Sequence, residues 1–142
     1  MLNKINNGIV HVYEIVYGQI NIFKSIAQNR IHNLIHSWLS IFPLLESNHL
    51  KVDSFGVNVG FNPSLEVEMY ADPNLINEHT LPDILLKVNH SKPATTVFKS
   101  IQRAITWHHN MSVSAPYDKI YVKLLVKITP EVKVFLGTPR LT

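Results

Sequence analysis

The chain contains no cysteine among its 142 residues. Disulfide bonds, thiolate metal sites and thiol nucleophiles are therefore excluded, and the fold must be stable without covalent cross-links. Its five glycines are too few and too scattered to supply a Gly-rich phosphate loop, and no nucleophile elbow or metal-binding signature is present. We therefore predict that the protein is not an enzyme and that it holds neither a cofactor nor a metal ion.

Long apolar runs are also absent, since no run approaches the roughly 20 residues of a membrane-spanning helix. The N-terminal segment has His11 and Glu14 inside its apolar part and lacks a small-residue cleavage site, which predicts a strand and not a signal peptide. No repeat and no Gly/Ser linker divides the chain. We expect one globular domain, residues 1–142, that is cytoplasmic and at most peripheral to a membrane.

Apolar residues at alternate positions predict most of the secondary structure. They predict a hairpin at 9–23, strands at 50–61, 65–70 and 84–88, and a closing hairpin at 117–137 that turns at Thr129-Pro130 and points Ile120, Val122, Leu124, Val126 and Ile128 inward. Helical spacing predicts a helix from a cap at Ser25 to about Ile41, followed by a turn at 44–47. A second helix after Pro93 has Thr95 or Thr96 as its N-cap. The fold class is α+β, a mostly antiparallel sheet with two amphipathic helices.

Charge is distributed unevenly along the chain. Residues 1–45 carry a net charge of +2, residues 46–83 carry seven acids and one base for a net −6, and residues 84–142 carry nine bases and two acids for a net +7. This pattern favours either an anionic partner for the basic end or self-association of unlike ends. In the second case the acidic side comprises Glu66, Glu68, Asp72 and Glu78. The alternative is that the two regions interleave in space, so that their potentials cancel.

The closing hairpin provides the clearest candidate binding surface. Its outward positions combine lysines with aromatic and aliphatic residues: Lys119, Tyr121, Lys123, Leu125, Lys127, Lys133 and Phe135. Such a mixture suits phosphate contacts together with stacking or apolar insertion, as on a nucleic acid or an anionic lipid surface. The alternative is an ordinary exposed lysine face on which a helix covers Leu125 and Phe135.

Two other groups of ionisable residues have simple explanations. His32 and His36 have the i, i+4 spacing that can direct two imidazoles to one metal ion, but no carboxylate accompanies them, which favours solvated helix histidines. Glu66 and Glu68 share one face of a strand. Paired carboxylates need burial or crowding to act as acid and base, so we expect a solvated acidic face.

The chain resembles the globular core of rhabdovirus matrix proteins. The resemblance lies in "SLEVEMYADPNL" (64–75), in "KPATTVFKSIQRAITWHHN" (92–110) and in the order of elements, whereas the long basic tail and the Pro-rich budding motifs of that family are absent. The resemblance implies a non-enzymatic viral structural protein that self-associates, contacts the inner leaflet of the membrane and condenses a nucleocapsid. It also implies location in the host cytoplasm and in the virion, with no small-molecule substrate.

Two alternatives belong to other classes of protein. The first is a small-ligand-binding domain, in which residues 71–83 form a lid over an apolar pocket. The second is an inhibitor or immunity protein that presents the acids between 46 and 83 as one continuous surface.

Overall fold

The architecture comes from a computed structural model, which describes residues 26–111 and 116–139. The elements are helices α1 (Ile26–Leu39) and α2 (Phe42–Ser47), strands β1 (Lys51–Asn58) and β2 (Ser64–Ala71), helices α3 (Leu81–Val88) and α4 (Lys92–His109), and strands β3 (Ile120–Val126) and β4 (Glu131–Leu136). The strands form one antiparallel sheet in the order β1-β2-β3-β4. The α+β class is confirmed. The predicted hairpin at 9–23 and the predicted cap at Ser25 lie outside the described residues.

The sheet buries one of its two faces. Alternate residues of β2 and β3 are buried in the core, namely Leu65, Val67, Met69, Ile120, Val122, Leu124 and Val126. Helices α1 and α4 contribute Ile35, Trp38, Phe98 and Ile101 to the same core. Successive side chains of a strand point to opposite faces, and the intervening residues of β2 and β3 are exposed or half-buried. We call their face the outer face.

Residues 84–88 were predicted to form a strand, and this prediction was wrong. They belong to helix α3, which has Pro82 in its first turn. Leu81, Ile84 and Val88 are buried, and their i, i+3, i+7 spacing places them on one helical face. A five-residue apolar run does not distinguish a strand from a buried helix by periodicity, and proline at the start of a helix is favourable.

Helix α4 begins earlier than predicted. Its N-cap is Ser91 rather than Thr95 or Thr96, and the Ser91 hydroxyl accepts a hydrogen bond of 3.3 Å from the backbone N–H of Ala94. Pro93 lies inside the first turn of the helix. Proline is tolerated there because the backbone N–H groups of the first turn have no hydrogen-bond partner within the helix, so the missing N–H costs nothing. The hydroxyl of Thr96 donates instead to the carbonyl of Lys92 one turn back, at 3.0 Å.

Replacing the cap residue tests this start of α4. Ser91→Ala is expected to lower the free energy of unfolding by about 1 kcal/mol, because the Ala94 N–H loses its partner. Urea denaturation measures the change. Ser91→Asp keeps an oxygen acceptor at the same position and is the matched control. Equal loss in both variants would mean that Ser91 does not act as the cap.

Pro43 starts a helix instead of only ending one. Helix α1 stops at Leu39, and the segment predicted as a trailing turn forms helix α2, with Pro43 in its first turn. Phe42 and Leu45 of α2 are buried. The Nδ2 of Asn48, at the end of α2, donates to the carbonyl of Leu44 at 2.9 Å.

Ile128, which was predicted to point inward, is exposed, and so are two apolar residues of the alternating run at 50–61. Strand β1 lies at one edge of the described sheet and has a register shift between Val52 and Ser54. Phe55 in this strand and Val59 just after it are exposed. Ile128 lies in the turn between β3 and β4 and is also exposed. The alternating pattern therefore extends past the positions at which the helices cover the sheet.

Candidate functional site

Three aromatic side chains are neighbours on the outer face. Tyr70 of β2 is directly opposite Tyr121 of β3, and Tyr121 is directly opposite Phe135 of β4. All three are half-buried. Neighbouring strands are about 4.8 Å apart, so the three rings follow one another across the sheet. We call these three residues the aromatic row.

Lysines surround the Tyr70 end of the aromatic row. The Nζ of Lys119 lies 5.3 Å from the centre of the Tyr70 ring, within the range of a cation–π contact. Lys51 of β1 is opposite Tyr70 on its other side, and both lysines are exposed. The backbone N–H of Gly137 donates to the carbonyl of Lys119 at 2.9 Å. This bond joins the end of β4 to the start of β3 and keeps Lys119 beside the row.

A row of charged residues lies next to the aromatic row. Glu68, Lys123 and Lys133 are successive neighbours on β2, β3 and β4. The Nζ of Lys123 lies 3.0 Å from the Oε1 of Glu66, and this hydrogen bond, with the charges of Glu66 and Glu68, raises the pKa of Lys123. Lys123 and Lys133 are like charges in direct opposition, which is unfavourable. The β2 carboxylates neutralise Lys123, so the positive charge of Lys133 is left on the β4 side.

The other end of the outer face is close to neutral. Leu125 lies between Glu66 and Glu131, its neighbours on β2 and β4. The Nζ of Lys127 is 3.4 Å from the Oε1 of Glu131. Two lysines of the predicted binding surface, Lys123 and Lys127, are thus ion-paired within the chain. Positive charge on this face is concentrated around the aromatic row.

The predicted acidic residues are divided between two places. Glu66 and Glu68 lie on the outer face among the lysines. Asp72 accepts a hydrogen bond of 2.8 Å from the backbone N–H of Asn74, in the turn after β2. The Oε1 of Glu78 lies 3.8 Å from the Nε2 of His79. On the sheet, acids and bases interleave, which disfavours the hypothesis of one continuous acidic surface.

A groove runs along the outer face beside the aromatic row. It has a volume of about 430 Å³, and its lining includes Glu68, Tyr121, Lys123, Lys133, Phe135 and Pro139. We call it the outer groove. Gly137 has a φ of +96°, a conformation that glycine adopts without strain, and it turns the chain after β4 so that Pro139 reaches the groove. Four of the seven predicted surface residues therefore line one cavity.

Sequence reasoning did not assign Tyr70 or Pro139 to this surface. Tyr70 lies two residues after Glu68 and four after Glu66, so its side chain points to the same face of β2. The alternation of β2 could therefore have predicted that Tyr70 lies on the outer face. Pro139 follows the last strand, and no local pattern indicates that it folds back over the sheet.

A second groove lies between helix α4 and strand β4. Its volume is about 480 Å³, and it is lined by Thr96, Lys99, Ser100, Arg103, Ala104, Trp107, Val132 and Val134. We call it the edge groove. Sequence reasoning did not assign Lys99 or Arg103 to a binding surface, although Lys99, Arg103 and Trp107 have an i, i+4, i+8 spacing that places them on one side of a helix.

The predicted lid is a compact hydrogen-bonded turn. Ile76 at its centre is fully buried. The Thr80 hydroxyl donates to the carbonyl of Leu75 at 2.9 Å, and the Asn77 Nδ2 donates to the carbonyl of Pro73 at 3.0 Å. Residues 71–83 line neither the outer groove nor the edge groove.

His32 and His36 of α1 do not belong to a metal-binding group among the residues that the structure describes. Partial burial and the nearby His36 lower the pKa of His32. Within the two described ranges, no three His, Asp or Glu side chains are grouped so that they could hold a metal ion. In the same ranges, none of the helices has the length and apolar character needed to cross a membrane.

Comparison with known proteins gives no relative. The chain matches no protein-family model, no curated protein and no solved structure.

Proposed function

We propose that the protein is a non-enzymatic interaction protein that binds single-stranded nucleic acid, as RNA or ribonucleoprotein, on its outer face. This partner is the nucleocapsid component of the matrix-type role that the sequence resemblance implies. The observation that carries the proposal is the aromatic row, three rings on adjacent strands with Lys51, Lys119 and Lys133 around them.

The row suits bases that are not paired with a second strand. An unpaired base can stack on an exposed ring whatever its sequence, and such stacking contributes about 1–3 kcal/mol per base. The rings of Tyr121 and Phe135 also line the outer groove. A base stacked on them can therefore contact the sides of the groove as well as the ring faces. Duplex bases are already stacked on each other and are less accessible to these rings.

The surrounding charges suit a phosphate backbone. Lys51 and Lys119 are exposed at the Tyr70 end of the aromatic row, and Lys133 is exposed beside Phe135. In the described part of the chain these three lysines form no ion pair, unlike Lys123 and Lys127. A single-stranded nucleic acid whose bases stack along the aromatic row passes between Lys51 and Lys119 on one side and Lys133 on the other. Its phosphates can therefore meet positive charge near both ends of the row.

A lipid surface fits the outer face less well. Attraction to anionic lipid grows by about 1 kcal/mol per lysine near the surface, and two of the lysines predicted for this role are neutralised by Glu66 and Glu131. Leu125 and Phe135, the predicted apolar anchors, are half-buried. Insertion between lipid chains requires a side chain that projects beyond the surface, whereas stacking requires only one accessible face of a ring.

Binding of a short fluorescein-labelled oligouridine, followed by fluorescence anisotropy at several salt concentrations, tests the proposal. Each phosphate contact in single-stranded nucleic acid contributes about −0.7 to the slope of log affinity against log salt, so three lysines predict a slope of about −2. A duplex RNA of the same length is expected to bind more weakly.

Flotation with vesicles that contain phosphatidylserine is the parallel measurement. Flotation without oligouridine binding would identify lipid as the partner and overturn the nucleic-acid proposal. Absence of both would reject the outer face as a site for anions. Sedimentation at low and high salt tests the self-association that the matrix-type role implies.

A further inference from the structure

The edge groove lies beside an edge of the sheet that no further strand covers among residues 26–111 and 116–139. Strand β4 is the last strand of the sheet and, among the described residues, pairs with β3 alone. Its register with β3 runs without interruption from Glu131 to Leu136. At the opposite edge, β1 has a register shift between Val52 and Ser54. A bulge of this kind protects an edge against further pairing, and β4 lacks this protection.

The groove offers apolar contacts on the inner side of that edge. Val132 and Val134 of β4 are half-buried and point toward helix α4. Across the groove, Ala104 is half-buried and Trp107 is 66% exposed. A tryptophan beside an open strand edge is well suited to anchor a partner, because buried tryptophans are enriched among the residues that dominate binding energy.

The charge of the groove is positive. Lys99 and Arg103 line it, and no acidic residue does. Neither base forms an ion pair within the residues that the structure describes. Lys133, on the outer side of β4, adds a third positive charge near the same edge.

The geometry points to an extended acidic segment of a partner protein as the occupant of the edge groove. The segment adds as a fifth strand to β4, where main-chain hydrogen bonds supply affinity and alternate side chains supply specificity. Side chains on its inner side enter the groove, where apolar ones contact Val132, Val134 and Trp107 and acidic ones meet Lys99 and Arg103. This inference concerns another surface and does not rest on nucleic-acid binding by the outer face.

A second copy of the chain is a poorer occupant. Antiparallel pairing of β4 with β4 of another copy puts both α4 helices on the same side of the joined sheet. The edge grooves of the two copies would then face each other, and Lys99 and Arg103 of one copy would lie close to Lys99 and Arg103 of the other. Like charges brought together in this way are unfavourable, whereas an acidic segment is complementary.

The test uses a labelled peptide of about six residues, a typical strand length, in which the groove-facing positions carry valine and glutamate in turn and the intervening positions carry threonine. Its affinity for the full chain is measured by fluorescence anisotropy. Three comparisons accompany it: a valine–lysine peptide, the valine–glutamate peptide with N-methylated backbone amides, and the protein variants Lys99→Glu/Arg103→Glu and Trp107→Ala. Lys87→Glu, an exposed base on α3, is the matched control. Circular dichroism verifies that each variant is folded.

We expect the valine–glutamate peptide to bind, and the double charge reversal, Trp107→Ala and N-methylation each to weaken binding by about tenfold or more. Lys87→Glu should leave binding unchanged, and no variant of the edge groove should change oligouridine binding. The inference is overturned if the peptide does not bind, if the valine–lysine peptide binds equally well, or if N-methylation has no effect. Dimerisation of the chain that is lost in Trp107→Ala would identify a second copy as the occupant and overturn it as well.

Discussion

Replacing Tyr121 and Phe135 together with alanine is expected to reduce the affinity for oligouridine by roughly 30-fold or more. The reason is that two stacking platforms disappear, each contributing about 1–3 kcal/mol. The two rings are direct neighbours on β3 and β4 and both line the outer groove. Fluorescence anisotropy with the labelled oligouridine measures the loss.

Two controls separate stacking from charge and from folding. Tyr121→Phe keeps the ring and should bind nearly as well as the natural chain. Leu125→Ala removes a half-buried outward residue of the same strand, away from the aromatic row, and should leave the affinity unchanged. If the double alanine variant binds normally while Lys51→Gln/Lys119→Gln does not, binding is purely electrostatic and the stacking model is wrong.

Phe98→Ala is expected to lower the free energy of unfolding by about 3–5 kcal/mol. Phe98 is fully buried in α4, where that helix packs on the inner face of the sheet, and its removal costs both transfer free energy and a cavity. Small domains are stable by only about 5–15 kcal/mol, so the variant should be strongly destabilised. Urea denaturation gives the difference.

Matched substitutions show whether the loss comes from the core. Phe98→Leu retains most of the volume and should cost less than Phe98→Ala. Leu86→Ala, at an exposed position on α3, should change the free energy of unfolding by no more than about 0.5 kcal/mol. A loss below about 1 kcal/mol for Phe98→Ala would contradict the packing of α4 on the sheet.

The sequence predicted elements well where the pattern was long. Strand β2 alternates over eight residues, and Leu65, Val67 and Met69 at alternate positions of the strand predicted at 65–70 are all buried. The five-residue run at 84–88 was assigned to the wrong class because its burial is decided by contacts with α4 and not by its own periodicity. A proline in the sequence can mark either the end of one helix or the first turn of the next. Pro43 and Pro82 both lie in the first turns of helices.

The candidate site was only partly predictable for a related reason. Alternation placed Tyr121, Lys123 and Phe135 on one face, as their strands confirm. It did not predict that β2 would lie beside β3 and bring Glu66 within 3.0 Å of Lys123. The edge groove was not predicted, because it requires α4 and β4, separated in sequence by β3, to lie side by side.

The amino-acid sequence alone was enough to predict which side of β2 and β3 faces the core, because alternation is a local property of an extended backbone. It also determined the total charge and the absence of covalent cross-links. The strand order could be seen only in the folded molecule. It joins Tyr70 to Tyr121 and Phe135, interleaves acids with lysines and, among the described strands, leaves β4 at an edge. The physical reason is that strand order and register depend on contacts between residues distant in the chain, whose combined packing no local pattern encodes.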